Sequence, residues 1–155
     1  MSSLSENPNY QLLEVFNVRS LEDFHKSSLE AARHFTPRAV VALSGPLGAG
    51  KTEFVKTIAK SRGFHDVASP TFAIHHRYQG FSISLDHLDL YRLENEDELE
   101  TTGFWDFFSE NEGLIFIEWP ERMNLEHIPL DWDLFVLEIQ VSLTSERVLR
   151  LFRRK

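Results

Sequence analysis

One stretch decides the fold expected for this chain, Gly45-Pro46-Leu47-Gly48-Ala49-Gly50-Lys51-Thr52. It matches the pattern G-x-x-x-x-G-K-[ST]. An apolar run at residues 39–43 comes directly before it, and Gly63 stands where a left-handed helix cap is expected after it. Between the two, apolar side chains fall on one helical stripe: Phe54, Val55, Ile58 and Ala59. The pattern therefore predicts a strand, a glycine-rich turn and a helix.

The residue types in this stretch are those of a phosphate-binding loop, or P-loop. Glycines let successive backbone N–H groups face one anion. The start of the following helix adds about half a positive charge. Lys51 is predicted to contact the β- and γ-phosphates, and the Thr52 hydroxyl to bind Mg²⁺. The stretch thus predicts a site for a nucleoside triphosphate and Mg²⁺.

Composition and charge favour a globular protein with specific partners. The chain has 155 residues, of which 42% are hydrophobic and 13 are Phe. This size predicts a single domain, residues 1–155, with residues 1–9 disordered. The net charge of −8 disfavours broad, non-specific contact with nucleic acid. A local basic patch remains possible at the C-terminus, although a solvated end is the simpler interpretation of its basic residues.

The sequence also indicates where the protein resides. It contains no cysteine, which excludes disulfides and thiolate metal sites and fits a reducing compartment. The sequence contains no apolar run of about 18 residues, so no membrane span is predicted. Residues 1–9 lack the apolar region of a signal peptide. A cytoplasmic location is therefore expected.

Strands and helices alternate along the chain. We predict strands at 10–18, 39–44, 73–74 onward, 81–88 and 114–117, and a closing hairpin of 135–141 with 148–152. A first helix is predicted from the N-cap Ser20 to about Phe35, and another from the acidic run at 94–100 through Phe108. This order predicts an α/β, three-layer P-loop NTPase fold. Its sheet is expected to be mostly parallel, with antiparallel strands at one side.

Two acidic residues are candidates for the metal and the attacking water. Glu118 follows the apolar run 114–117, and Asp89 follows the strand at 81–88, so both are expected at the loop side of the sheet. Asp86 is a weaker candidate because it lies inside its strand. We favour Glu118 on the magnesium side and Asp89 near the water, and the reverse assignment remains open.

Three further residues are interpreted from their place in the sequence. Thr71, in the segment Ser69-Pro70-Thr71-Phe72, is predicted to contact the γ-phosphate or Mg²⁺ from a loop. His87 is interpreted as a packed or surface imidazole rather than a catalytic one. Trp119 is expected to cover apolar surface near the site.

Taken together, these motifs resemble the YjeE/TsaE family of small bacterial P-loop ATPases. The matching pieces are Gly45 to Thr52, the S-P-T-F segment at 69–72, H-x-D-L-Y-R at 87–92 and E-W-P at 118–120, and the resemblance covers about residues 20–152. It implies an ATP–Mg²⁺ site and weak hydrolysis. It also implies a role in synthesis of threonylcarbamoyladenosine (t6A) at position 37 of tRNA, beside a transferase complex of TsaD-like and TsaB-like proteins.

Site residues follow from the same resemblance. Lys51 would be the phosphate clamp, Thr52 and Glu118 the magnesium side, and Asp89 the hydrolysis residue. The nucleotide would also contact Gly48, Ala49, Gly50, Glu53, Thr71, Ser20 and Arg147. The chain departs from the family at Pro46, where Asp is usual, and at Glu53, where Thr or Ser is common. The charge of Glu53 lies near phosphate and is expected to weaken ATP affinity.

Two other functions are compatible with the loop alone. A small-molecule kinase shares it, but no segment here is long enough for a substrate domain, and few arginines lie between Gly63 and Arg92. A nucleotide-dependent binding module would use ATP to change shape without essential hydrolysis. The destination of the γ-phosphate separates the kinase from the ATPase, and the need for Asp89 separates the ATPase from the module.

Overall fold

The computed structural model describes residues 4–65, 67, 74–80 and 83–155. Its two α-helices are α1 (Leu21–Ala32) and α2 (Lys51–Ser61). The strands are β1 (Tyr10–Val18), β2 (Arg38–Ser44), β3 (His75–Gln79), β4 (Ser84–Asp89), β5 (Gly113–Glu118), β6 (Asp133–Val141) and β7 (Arg147–Arg154). Short 3-10 helices occur at Leu4–Glu6, Glu96–Thr102, Phe104–Ser109, Pro120–Arg122 and Leu125–His127. Within these residues, no helix has the length and apolarity needed to cross a membrane.

The strands form one sheet in the order β1-β7-β6-β2-β5-β4-β3. Its four central strands, β6, β2, β5 and β4, are parallel, so the predicted α/β class is confirmed. Antiparallel pairs occur at both edges, however, and not at one side as expected. The second antiparallel edge arises because only residues 80–83 separate β3 from β4, and a link that short does not make a parallel crossover.

The sheet lies between two layers, as predicted. On one face, Phe54, Val55 and Ile58 of α2 pack with α1 against side chains of β2, β5 and β6. On the other face, the 3-10 helices place Phe104, Phe107 and other apolar side chains against the sheet. β2 and β5 run through the middle of this core and are buried along nearly their whole length. The central strands therefore provide a rigid base for the residues at their ends.

Two predicted helices are wrong in extent. The segment predicted as one helix from 94 through 108 is two 3-10 helices, because Gly103 adopts the left-handed conformation (φ +76°) and interrupts it. Helix α1 ends at Ala32 rather than near Phe35. The Phe35 ring instead lies 5.1 Å from the Phe135 ring, so core packing takes this residue out of the helix.

Local signals at the other element ends are confirmed. Ser20 caps α1, its hydroxyl accepting a hydrogen bond from the Asp23 N–H at 3.0 Å. Gly63 has φ +87° just after α2, and Ser145 has φ +65° in the β6–β7 hairpin. Some predictions lie outside the described residues: the loop at Ser69–Phe72, which includes Thr71, and the start of a strand at Ala73. The single domain and the disorder of residues 1–9 stay predictions, although Leu4–Glu6 is described as a 3-10 helix.

Candidate nucleotide site

The glycine-rich loop joins the end of β2 to the start of α2. Gly48 and Gly50 have φ values of +77° and +116°, which the sequence anticipates by placing glycine at both positions. The Ala49 N–H donates to the Pro46 carbonyl at 3.1 Å, closing a turn. A Cβ atom at Gly50 would lie 2.8 Å from the Phe24 ring of α1. The loop conformation therefore depends on glycine and on the neighbouring helix.

Lys51 lies inside the loop and is 5% exposed. Its ammonium donates to the carbonyls of Gly45 and Pro46 and lies 3.6 Å from the centre of the Trp119 ring. Burial lowers the Lys51 pKa, and the carboxylates of Glu118, Glu121 and Asp89 oppose that shift. A cation held by loop carbonyls and an aromatic face is placed to exchange these contacts for phosphate oxygens.

Thr52 and Glu118 meet across the start of α2. The Thr52 hydroxyl lies 3.1 Å from Glu118 Oε1 and 3.0 Å from Oε2. Glu118 is the last residue of β5, and β5 pairs directly with the loop-bearing strand β2. The parallel sheet thus delivers the carboxylate to the loop, as the sequence predicted.

Asp89 lies beside Glu118 on the neighbouring strand. The two residues pair in register between β4 and β5, at the carboxyl ends of both strands. Asp89 Oδ1 accepts a hydrogen bond from the Tyr91 N–H at 3.0 Å, which fixes the carboxylate over the following turn. Asp86 is 1% exposed inside β4, where it binds His75 and Arg77. The structure therefore separates Asp89 from Asp86 as expected.

These side chains suit Mg²⁺ with a nucleotide. Thr52 and Glu118 offer hydroxyl and carboxylate oxygens, the hard donors that Mg²⁺ prefers. No group of three or more His, Cys, Asp and Glu in the described part of the chain is arranged to hold a metal by itself. A magnesium ion here would take its remaining ligands from phosphate oxygens and water, which is how Mg²⁺ is usually bound beside nucleotides.

A cleft of about 430 Å³ opens beside the loop. Its lining includes six residues predicted at the nucleotide: Ser20, Gly48, Ala49, Gly50, Glu53 and Arg147. Glu53 Oε1 lies 2.8 Å from His25 Nε2. Residues from the β1–α1 junction, the glycine-rich loop and β7 thus line one cleft.

Arg147 contacts the loop itself. Its Nε donates to the Ala49 carbonyl at 2.7 Å and one Nη to the Gly48 carbonyl at 3.1 Å. The other Nη donates to the Ser145 carbonyl at 2.9 Å. Arg147 therefore holds two loop carbonyls, an arrangement that the sequence did not indicate because Arg147 lies 98 residues from Ala49.

His87 is packed, as one of its two sequence interpretations has it, but its contact with Glu118 was not predicted. This side chain is 0% exposed, and its Nε2 lies 2.5 Å from Glu118 Oε2. The available signal was its spacing, since residues two apart in a strand share a face and His87 precedes Asp89 by two. Trp119 was better anticipated: it follows Glu118 with φ +59° and stacks against Lys51 and Tyr91. Apart from Thr71, all predicted site residues lie around the loop, and their roles stay predictions.

The sheet order, the loop and the acids at the strand ends define a P-loop α/β protein. A family model described as "Threonylcarbamoyl adenosine biosynthesis protein TsaE" matches residues 18–149. The chain belongs to this family.

Two relatives agree with this assignment, and a solved structure agrees with the fold. The chain is 35% identical to "tRNA threonylcarbamoyladenosine biosynthesis protein TsaE" of Aquifex aeolicus, over 93% of this chain and 99% of that one. It is also 35% identical to the protein of the same name from Borreliella burgdorferi, over 90% and 98%. A structure described as "Crystal structure of Bacillus subtilus YdiB" superposes with a TM-score of 0.72 at 24% identity, covering 94% of this chain and 88% of that one. That likeness supports the fold.

Proposed function

We propose that this protein binds ATP with Mg²⁺ and hydrolyses it weakly in the cytoplasm, as a subunit required for t6A modification at position 37 of tRNA. It acts on a threonylcarbamoyl-transferase complex of TsaD-like and TsaB-like proteins. The observation that carries the proposal is the contact between the Thr52 hydroxyl and the Glu118 carboxylate at the first turn of α2. The names of the relatives, which refer to tRNA threonylcarbamoyladenosine biosynthesis, supply the pathway.

Each residue has a defined part in this proposal. Loop N–H groups and the Lys51 ammonium bind the phosphates, and Thr52 and Glu118 hold Mg²⁺. When bound, Mg²⁺ offsets negative charge on the β- and γ-phosphate oxygens. Asp89, beside Glu118 in the sheet, orients the attacking water. The Trp119 ring covers Lys51 and limits access of other water to the phosphates.

The decisive experiment measures phosphate release from ATP, with and without the host's transferase pair. Wild-type protein is expected to release phosphate slowly alone and faster with the pair. Asp89→Asn should lose this release and keep ATP binding. Lys51→Ala should lose most ATP binding, because the cation on the β- and γ-phosphates is removed.

The other functions give different results in the same assay. Bound ATP with no phosphate release under any condition, together with t6A synthesis that survives Asp89→Asn, would indicate a binding module. Transfer of radiolabel from γ-labelled ATP to a small acceptor would indicate a kinase. Either result contradicts the proposed ATPase.

A further inference from the structure

His87 lies directly beneath the carboxylate proposed to serve Mg²⁺. In β4, alternate residues face opposite sides of the sheet. Leu85 packs in the core under α1 and α2, and Leu88 packs in the core on the other face. His87 shares the face of Leu85 and Asp89, so it points toward α2, one pleat deeper in the sheet than Asp89. It pairs in register with Phe116, which precedes Glu118 by two residues.

The contact between His87 and Glu118 is buried and short. Nε2 lies 2.5 Å from Oε2, with the histidine side chain 0% exposed and the glutamate side chain 4% exposed. Hydrogen bonds to a carboxylate are shorter and stronger than those between neutral groups. Oε2 is therefore held from below by His87, and the Thr52 hydroxyl lies 3.0 Å from Oε2 and 3.1 Å from Oε1.

The hydrogen on the His87 ring can be assigned from its surroundings. Nδ1 is buried and has no hydrogen-bond partner among the residues that the structure describes. A hydrogen there would be left without an acceptor, so the network places the ring hydrogen on Nε2, where it is donated to Glu118. The imidazole thus acts on one atom only, the inner oxygen of the carboxylate.

We propose that His87 is a positioning residue for the magnesium site: its Nε2–H holds Glu118 in the orientation that serves the ion at Thr52. This inference rests on the proposed function, because it concerns the same Mg²⁺. Groups that orient a metal ligand from outside typically change metal affinity by about 10- to 100-fold when removed. A buried imidazole with an unpartnered Nδ1 is also a costly way to fill apolar space, which a leucine would fill without that cost.

Three substitutions separate positioning from packing. His87→Leu fills much of the space and donates nothing. His87→Asn is polar but too short for its amide to reach Oε2, and it replaces the leucine variant if that one does not fold. His87→Gln places an amide N–H where Nε2 stands. Leu85→Val is the matched control, since it disturbs the same face of β4 one pleat further from Glu118.

The measurement is the affinity for ATP, by calorimetry, across a magnesium titration and in EDTA. His87→Leu or His87→Asn should raise the half-saturating Mg²⁺ concentration by about tenfold or more. His87→Gln should stay within about threefold of wild type, and Leu85→Val should not change it. ATP affinity in EDTA should be the same in all folded variants, with folding checked by circular dichroism and thermal unfolding.

Two outcomes overturn the inference. One is a folded His87→Leu or His87→Asn protein with the wild-type magnesium response. The other is an equal loss in His87→Gln, which would make ring packing the cause. Replacing Glu118 provides a further check: in a Glu118→Gln background, His87→Leu should cause no additional change in the magnesium response.

The inference and the proposed function fail in distinguishable ways. If wild-type protein shows no magnesium effect on ATP binding, both the metal assignment and the role of His87 are wrong. If magnesium-dependent binding is present but phosphate is never released with the partners, the proposed ATPase is wrong and the role of His87 stands. If wild type behaves as proposed and His87→Leu matches it, the inference alone fails.

Discussion

At the residue scale, the Glu118 carboxylate is the contact on which the magnesium assignment depends. Glu118→Gln keeps the shape of the side chain and removes its charge, so the half-saturating Mg²⁺ concentration for ATP binding should rise by at least about tenfold. Affinity for ATP in EDTA should change little. Glu121→Gln is the matched control, because Glu121 is exposed and contacts Ser44 rather than Thr52. A wild-type magnesium response in Glu118→Gln would transfer the metal role to Asp89.

Arg147 lies in the cleft where the resemblance places it and also contacts the loop itself. The resemblance places it at the nucleotide rim, yet its guanidinium donates to the carbonyls of Gly48, Ala49 and Ser145. Arg147→Met should therefore loosen the loop, lowering ATP affinity by about tenfold and the free energy of unfolding by about 1–2 kcal/mol. Calorimetry and urea unfolding test this. Arg150→Met, on the same strand with a contact to Gln140, should change stability by less than about 0.5 kcal/mol.

Thr52 and Glu118 illustrate what the sequence reveals about single residues. Thr52 and Glu118 were predicted because each has a fixed place, one in the loop pattern and one directly after a buried strand. The contact of His87 with Glu118 was not predicted. The sequence pattern of a strand does not distinguish a histidine that only packs in the core from one that orients a carboxylate. The register of β4 against β5 brings the two residues close, and the side-chain geometry shows that Nε2 contacts Glu118 Oε2.

At the element scale, the junction of the loop and α2 distinguishes two glycines. A Cβ at Gly50 (φ +116°) would lie 2.8 Å from Phe24, whereas Gly48 (φ +77°) has open space around the same position. Gly50→Ala should lower the free energy of unfolding by about 2–4 kcal/mol and abolish ATP binding. Gly48→Ala should cost about 1 kcal/mol, the strain of a left-handed alanine alone. Equal stability losses in urea unfolding would refute the role of Phe24.

Element boundaries were predictable where local chemistry sets them. Ser20 caps α1 through its hydroxyl, Gly63 follows α2 in the left-handed conformation, and both were predicted from local sequence. The prediction of one helix at 94–108 was wrong. The apolar residues of this segment suit a helix, but Gly103 and the packing of Phe104 and Phe108 against the sheet favour two 3-10 helices. The antiparallel edge at β3 was not predicted, although the link to β4 at residues 80–83 is too short for a parallel crossover.

At the scale of the whole molecule, the net charge and the placement of the basic residues predict weak direct binding of tRNA. The chain carries 24 acidic and 16 basic side chains. The basic C-terminus is already engaged within the protein: Arg153 pairs with Asp133 at 2.8 Å, and Arg154 donates to the carbonyls of Ile128, Pro129 and Trp132. Guanidinium groups that already donate to acceptors within the protein, on a molecule of net charge −8, are expected to bind a phosphate backbone weakly.

We therefore expect the isolated protein to bind tRNA more weakly than about 100 µM at about 150 mM salt, the weak end of non-specific binding. Fluorescence anisotropy with labelled tRNA, repeated over a range of salt concentrations, measures this directly. Binding tighter than about 10 µM, with a salt slope reduced by about one in Arg150→Met, would show that the C-terminal arginines contact phosphates. In that case the protein would meet tRNA itself. Without such binding, an effect of this protein on tRNA modification would pass through the proposed transferase partners, because only they would then hold the tRNA.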